Sequence, residues 1–168
     1  AKPAGMASCV KHFAAYGAPE GGRDYNTVDM SERRLRQEYL PSYKAGVDAG
    51  CEMIMTSFNT VDGIPSTGNK WLMNDVLREE WGFDGVVITD YAAIAELVLH
   101  GAAEDQKEAA RLAMEAGVDI DMCTGCYANY LEELLKEGKI DEGMLDKAVM
   151  RILRLKNKLG LFEDPYRG

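Results

Sequence analysis

Four short apolar runs recur along the chain, each ending in polar or charged residues and each followed by a segment with helical spacing. The runs are ASCVKHF (7–13), CEMIMTSFN (51–59), GVVITD (85–90) and VDIDMC (118–123). Their near-continuous apolarity predicts strands buried on both faces, as in a parallel sheet. After the first run, the spacing predicts a helix over 31–48, in which Leu35, Tyr39, Tyr43 and Val47 recur every four residues. Asp29 and Glu32 stand three apart, as in a capping box, and Pro41 is expected to kink or restart this helix. A second helix is predicted over 70–81. One or two more run from beyond Tyr91 to Ala116, closed by Gly117. A further helix covers 130–137 and stops at Gly138. The last starts from an N-cap at Asp141, turns Leu145, Val149, Ile152 and Leu159 inward, and stops at Gly160.

Strand and helix thus alternate four times, at spacings of roughly 30 to 45 residues, which suits parallel βαβ units and an α/β fold. A closed (β/α)8 barrel needs about 250 residues, and the chain has 168. Two architectures remain: an open four-stranded sheet, or one half of a (β/α)8 TIM-like barrel with its helices outside. In both, ligands bind at the carboxyl ends of the strands. The residues there are Lys11 and His12, Phe58 and Asn59, Asp90, and Cys123.

Composition narrows the classes of partner. The formal net charge of -9 repels phosphate backbones, so nucleic acid is not expected. No apolar run is long enough to span a bilayer. Four cysteines in a chain of this size read as thiols in a reducing compartment, so a cytoplasmic location is expected, with a periplasmic or secreted parent as the alternative. Cys123 and Cys126 form a C-x-x-C without a second cysteine pair or a nearby histidine, so no metal and no cofactor is expected.

Asp90 is the residue that poses a chemical question, because a buried strand ends on it. If Val86 and Ile88 face a barrel interior, Asp90 tops their column, and a carboxylate there needs a partner or a wet pocket. Equally, Asp90 could cap the helix that follows. Lys11 and His12 offer donors to hydroxyls or to a carboxylate. Arg23 and Asp24 sit in a glycine-rich loop, 17–26, that either covers a ligand or merely connects. Met55, Phe58, Trp71 and Tyr91 serve as core, or as apolar faces on which a sugar ring can stack.

The segments VKHFAAYGAPEGGRDYNTVDMSERRL, MTSFNTVDGIPSTGNKWLMNDVLREEWGFDGVVITDY and GLFEDPY resemble glycoside hydrolase family 3, in particular its bacterial β-glucosidases. The resemblance covers nearly the whole chain and maps it to the second half of the family's N-terminal barrel. It implies a domain over 1–160 and the start of a linker at 161–168. It also implies hydrolysis of terminal β-D-glucosidic bonds with retention, through a glycosyl-aspartate on Asp90. By the same resemblance Lys11 and His12 hold glycone hydroxyls, and Met55 and Phe58 border the sugar, Phe58 lacking the hydroxyl of a Tyr frequent there. Tyr91 borders the aglycone. The general acid/base is then a Glu on a following domain, outside this chain, and the isolated 168 residues are expected to be inactive. FAAYG after His12, in place of a P-G-H-G type stretch, favours glucose over N-acetylglucosamine.

Two other readings stay open. A half-barrel with exposed edges could be a non-catalytic module that pairs with itself or is completed by a missing half. Lys11 could instead serve a Schiff-base aldolase on a similar barrel.

Overall fold

The structure, a computed structural model, describes residues 5–166. Ala1–Ala4 and the last two residues of the expected linker lie outside the described residues. Strands β1 (Cys9–Phe13), β3 (Met53–Thr56) and β6 (Val86–Ile88) form a parallel sheet in the order β1-β3-β6. A second, small sheet pairs β2 (Thr27–Val28) parallel to β4 (Thr60–Val61), and β4 antiparallel to β5 (Ile64–Pro65). The expected α/β architecture is present, and the described strands do not close into a barrel.

The helices cover one face of the main sheet. Helix α1 is continuous through three pieces, Glu32–Arg34, Leu35–Tyr39 and Leu40–Asp48. Pro41 does not end it. Instead the turn before it widens, with the Leu40 N–H reaching the Leu35 carbonyl. Its cap also differs from the expected one: Ser31, not Asp29, accepts the Arg34 N–H at 3.2 Å. Helix α2 (Trp71–Glu80) buries Leu72, Met73, Val76 and Leu77. Helices α3 (Ala93–Leu99) and α4 (Gln106–Ala116) complete the third unit, and Gly117 closes α4 at φ 95°. Helix α5 (Cys126–Lys136) begins four residues ahead of its expected start. The core beneath them contains Phe13, Ile54, Val87, Ile94, Leu97 and Leu134.

The last helix, α6 (Glu142–Lys158), crosses the amino ends of the strands. Arg151 reaches Asp119 at 2.9 Å, Arg154 reaches Asp84 at 3.3 Å, and Lys158 reaches Glu52 at 3.1 Å. Of the expected inner face, Leu145, Ile152 and Leu159 are half-buried, and the expectation fails at Val149. Ala148, Arg151 and Leu155 turn in, and Val149 is exposed. Val86 is buried above Leu155, so the column below Asp90 is covered at its base and partly open at Ile88.

The fourth run does not form a full strand. Only Ile120 bridges to Ile88, because Asp119 uses its side chain where a ladder would use main chain. Asp119 Oδ2 accepts the Val87 N–H at 2.8 Å and an Arg78 N–H at 2.8 Å, while Oδ1 accepts from Arg151 at 2.9 Å. Arg78 also donates to the carbonyls of Phe83, at 3.0 Å, and Gly117, at 3.3 Å. Both members of this pair are sealed, with side chains 1% and 7% exposed. Burial pushes the Asp119 carboxyl up and the Arg78 guanidinium down, and their mutual attraction opposes both shifts. Beside them Gly85 admits no side chain, since a Cβ would stand 2.4 Å from the Glu52 carbonyl.

Removing one partner from such a group leaves buried charge uncompensated. Asp119→Asn is therefore expected to lower unfolding free energy by about 3–5 kcal/mol, read from urea midpoints at constant slope. Arg151→Met, which takes away only the less buried cation, costs less. Equal losses in the two variants would contradict this account.

Candidate active site

The carboxyl ends of β1, β3 and β6 meet because their loops are tied to each other. The Ser57 N–H donates to the Phe13 carbonyl at 2.8 Å, and the Asn59 amide donates to the Ala14 carbonyl at 3.2 Å. The Tyr43 hydroxyl donates to the His12 carbonyl at 2.6 Å. The pairing of β1 with β3 slips between Val10 and Phe13, so strict alternation of faces is lost just where Lys11 and His12 stand. Thr89 is buried and accepts the Met122 N–H on its hydroxyl, which draws the fourth run alongside the end of β6.

Asp90 emerges at this rim with its side chain 17% exposed. Its two oxygens have different partners: Oδ1 accepts the Tyr91 N–H at 2.7 Å, and Oδ2 lies 3.2 Å from His12 Nε2. It is not the cap of α3. Ala92 occupies that position, at φ 59° and with no side-chain cap bond. Lys11 is exposed and outside salt-bridge range of Asp90, so the group facing the carboxylate is His12. Met55 and Phe58 are both partly open at the end of β3, and Tyr91 is 63% exposed beside Asp90. The structure thus gathers Asp90, His12 and Phe58 around one mouth, with Lys11, Met55 and Tyr91 on its margins.

Several expected candidates serve elsewhere. Trp71 packs against the helix-side core beneath the Arg36 guanidinium, 5.5 Å from its ring centre. Arg23 is exposed. Asn59 is a buried tie. Cys126 is buried at the start of α5, Cys123 is exposed at φ 67°, and both are free thiols. At the opposite end of the sheet, a groove of about 370 Å³ runs between Val47, Cys51, Phe83, Val86 and Leu155. It lies at the amino ends of the strands, away from Asp90.

Three residues at the mouth had no local signal. Tyr16 stands edge-on between His12 and Phe58, with ring centres at 5.4 and 6.0 Å, and its hydroxyl donates to Asp24. Tyr25 lies against Phe58 at 4.3 Å. Glu96, on α3, has one carboxyl oxygen shielded from solvent and without a partner. The aromatic wall therefore runs His12, Tyr16, Phe58, Tyr25. Burial first, then the hydrogen bond to Asp24, push the Tyr16 phenol well above the ordinary tyrosine value. Burial and the nearby Asp90 charge raise the Glu96 carboxyl.

These causes fix signs that titration can check. Tyr16 is expected to ionise after free tyrosine, and Asp24→Asn to bring it down, in a tyrosine-resolved NMR titration. The carboxyl resonance of Glu96 is expected to titrate at lower pH in Asp90→Asn than in the unmodified protein. An unmoved Glu96 would mean that the two carboxyls do not sense each other.

Residues 1–155 match the Glycosyl hydrolase family 3 N terminal domain. A periplasmic beta-glucosidase of Salmonella typhimurium is 52% identical over 157 residues, which are 94% of this chain and 20% of that protein. A putative beta-xylosidase of Formosa agariphila is 39% identical, over 96% of this chain and 22% of its own. Among solved structures, beta-glucosidase from Listeria innocua superposes with a TM-score of 0.96 at 61% identity, covering 97% of this chain and 22% of that one. The chain thus spans about a fifth of the length of the relatives it matches. Match length, identity and superposition agree, and the chain belongs to glycosyl hydrolase family 3, within its N-terminal domain.

Proposed function

We propose that this chain is the nucleophile-bearing part of a retaining β-glucosidase. The observation that carries the reading is the environment of Asp90. It is a carboxylate at the end of a buried strand, reachable from outside, with one oxygen held by a main-chain amide and the other facing His12. A retaining mechanism requires such a group. Asp90 Oδ2 attacks the anomeric carbon, and the bond to the leaving oxygen breaks. That oxygen takes a proton from a second carboxyl group placed about 5–5.5 Å away. Water then displaces Asp90 from the glycosyl ester, and the same second group removes its proton. No Glu at this mouth has a motif that assigns it the second role, so we place that residue outside this chain.

The remaining roles follow from position. His12 and the Lys11 side chain are donors for glycone hydroxyls. Met55 and Phe58 border the sugar ring, and Tyr91 lies on the leaving-group side. Glucose is the preferred sugar in this reading. The Listeria innocua enzyme was solved in complex with glucose, and a mutant of it with laminaribiose, while xylosidases among the relatives define the competing pentose class. The four free thiols support a reducing compartment such as the cytoplasm, against which stands the periplasmic name of the Salmonella relative. Among the described residues no helix is long and apolar enough to cross a membrane.

The half-barrel reading, residues 1–160 with a linker beginning at 161, also has support in the surface. Val149, Met150 and Leu153 on α6 and Leu161 and Phe162 beyond it are exposed apolar side chains. A completed barrel would give such a surface something to cover it.

A 2-deoxy-2-fluoro-β-glucoside is expected to label Asp90 in the full-length protein that contains this chain, as found by peptide mapping. Asp90→Ala is expected to lower kcat by on the order of a thousandfold or more, about 4 kcal/mol of barrier. A label on another residue would overturn the assignment.

A further inference from the structure

The β2–β4 pairing has a consequence at the mouth. Thr27 pairs with Thr60 and Val28 with Val61, a constant offset of 33 residues by subtraction. Two residues before the pair, the same offset matches Tyr25 with Phe58, and their rings do meet, at 4.3 Å and 34° between planes. The small sheet is thus a device that aligns an aromatic residue from the glycine-rich loop with one from the end of β3.

Tyr25 is held there against its own backbone preference. It sits at φ 65°, a conformation costly for a bulky side chain. The loop before it is braced: the Asn26 amide donates to the Glu20 carbonyl at 3.0 Å, and the Thr27 N–H to Asn26 Oδ1 at 2.8 Å. Asp24, its neighbour, anchors the loop to Tyr16. Even so, Tyr25 is 42% exposed, so this bracing does not serve burial. After its own partial burial, Glu96, Asp24 and Asp90 are the groups that raise its phenol, which puts Tyr25 in the field of the carboxylate across the mouth.

We propose that Tyr25 is a substrate-contacting, specificity-determining residue, whose ring, seated on Phe58, packs against the apolar face of the sugar unit on the leaving-group side. This rests on Asp90 being the nucleophile. The ligand class is a β-linked glucose disaccharide, whose second ring offers an apolar C–H face that a simple leaving group lacks. The contact is to the leaving unit, so it acts before the glycosyl-enzyme forms and is absent once that unit departs.

The test compares two substrates in the full-length protein: laminaribiose, which has a leaving sugar, and β-glucosyl fluoride, which has none. Tyr25→Ala is expected to lower the ratio of kcat/KM for laminaribiose over that for the fluoride by about tenfold, the scale of one lost aromatic contact. Tyr25→Asn, which tolerates the left-handed backbone, should lose the ratio equally, and Tyr25→Phe should keep it. Equal falls on both substrates, or a loss in Tyr25→Phe as large as in Tyr25→Ala, would overturn the proposal. Failure of the underlying reading shows differently, as an unmodified protein that hydrolyses neither substrate or is labelled away from Asp90.

Discussion

The fold depends on one sealed carboxylate. Asp119 binds two guanidinium groups and the Val87 amide, and through them links β6, the fourth run, α2 and α6. Without the carboxylate, Arg78 would keep its carbonyl partners but lose its counter-charge, and α6 would lose the innermost of its ion pairs with the strand ends. Such a group adds little net stability relative to a well-packed apolar one, but it has directional requirements that apolar packing lacks. It therefore fixes where the helix crosses and which residue of the fourth run faces β6.

The contrast with Asp90 is instructive because the two aspartates border the same layer of strands. Asp119 lies at the amino end of the sheet, with three donors shared between its two oxygens, and it is closed to solvent. Asp90 lies at the carboxyl end, with one oxygen on an amide and the other before an imidazole, and it stays reachable. Three donors and closure to solvent suit Asp119 to a structural role, while two partners and an open side leave Asp90 lone pairs that a ligand can meet. The same division appears in the neighbouring charges: the cations of α6 gather at the closed end, while Glu96 keeps an unpartnered oxygen near the open one.

Much of this was legible in the sequence where the determinant was local. The runs at 7–13, 51–59 and 85–90 contain the strands, Gly117 and Asp141 cap the helices they were expected to cap, and Asp90 stands at the rim. Expectations failed where a side chain replaced a backbone partner. Nothing local in VDIDMC says that Asp119 will take the Val87 amide and interrupt a ladder, and nothing in the spacing of α6 says that Arg151 will displace Val149 from the inner face. The β4–β5 hairpin is a different case. Asp62 and Gly63, both at positive φ, are a turn signal lying between Val61 and Ile64. The strands it joins are two residues long, too short for any alternation to register.

That hairpin also explains why the aromatic wall was only partly visible. Phe58 was found by its place at a strand end, whereas Tyr25 lies in a loop whose glycines suggest freedom. Its position is set by a parallel pairing 33 residues away in sequence, and no local propensity encodes such a contact. The physical division is consistent across the site. Groups fixed by the main sheet, Asp90 and His12, are readable from strand patterns, while groups fixed by the small sheet become readable only once its register is known. A loop can therefore be as well determined as a strand without looking so in sequence. The mouth of this domain is built from both kinds of element, the carboxylate from the rigid sheet and one rim of the mouth from a loop that the small sheet holds to it.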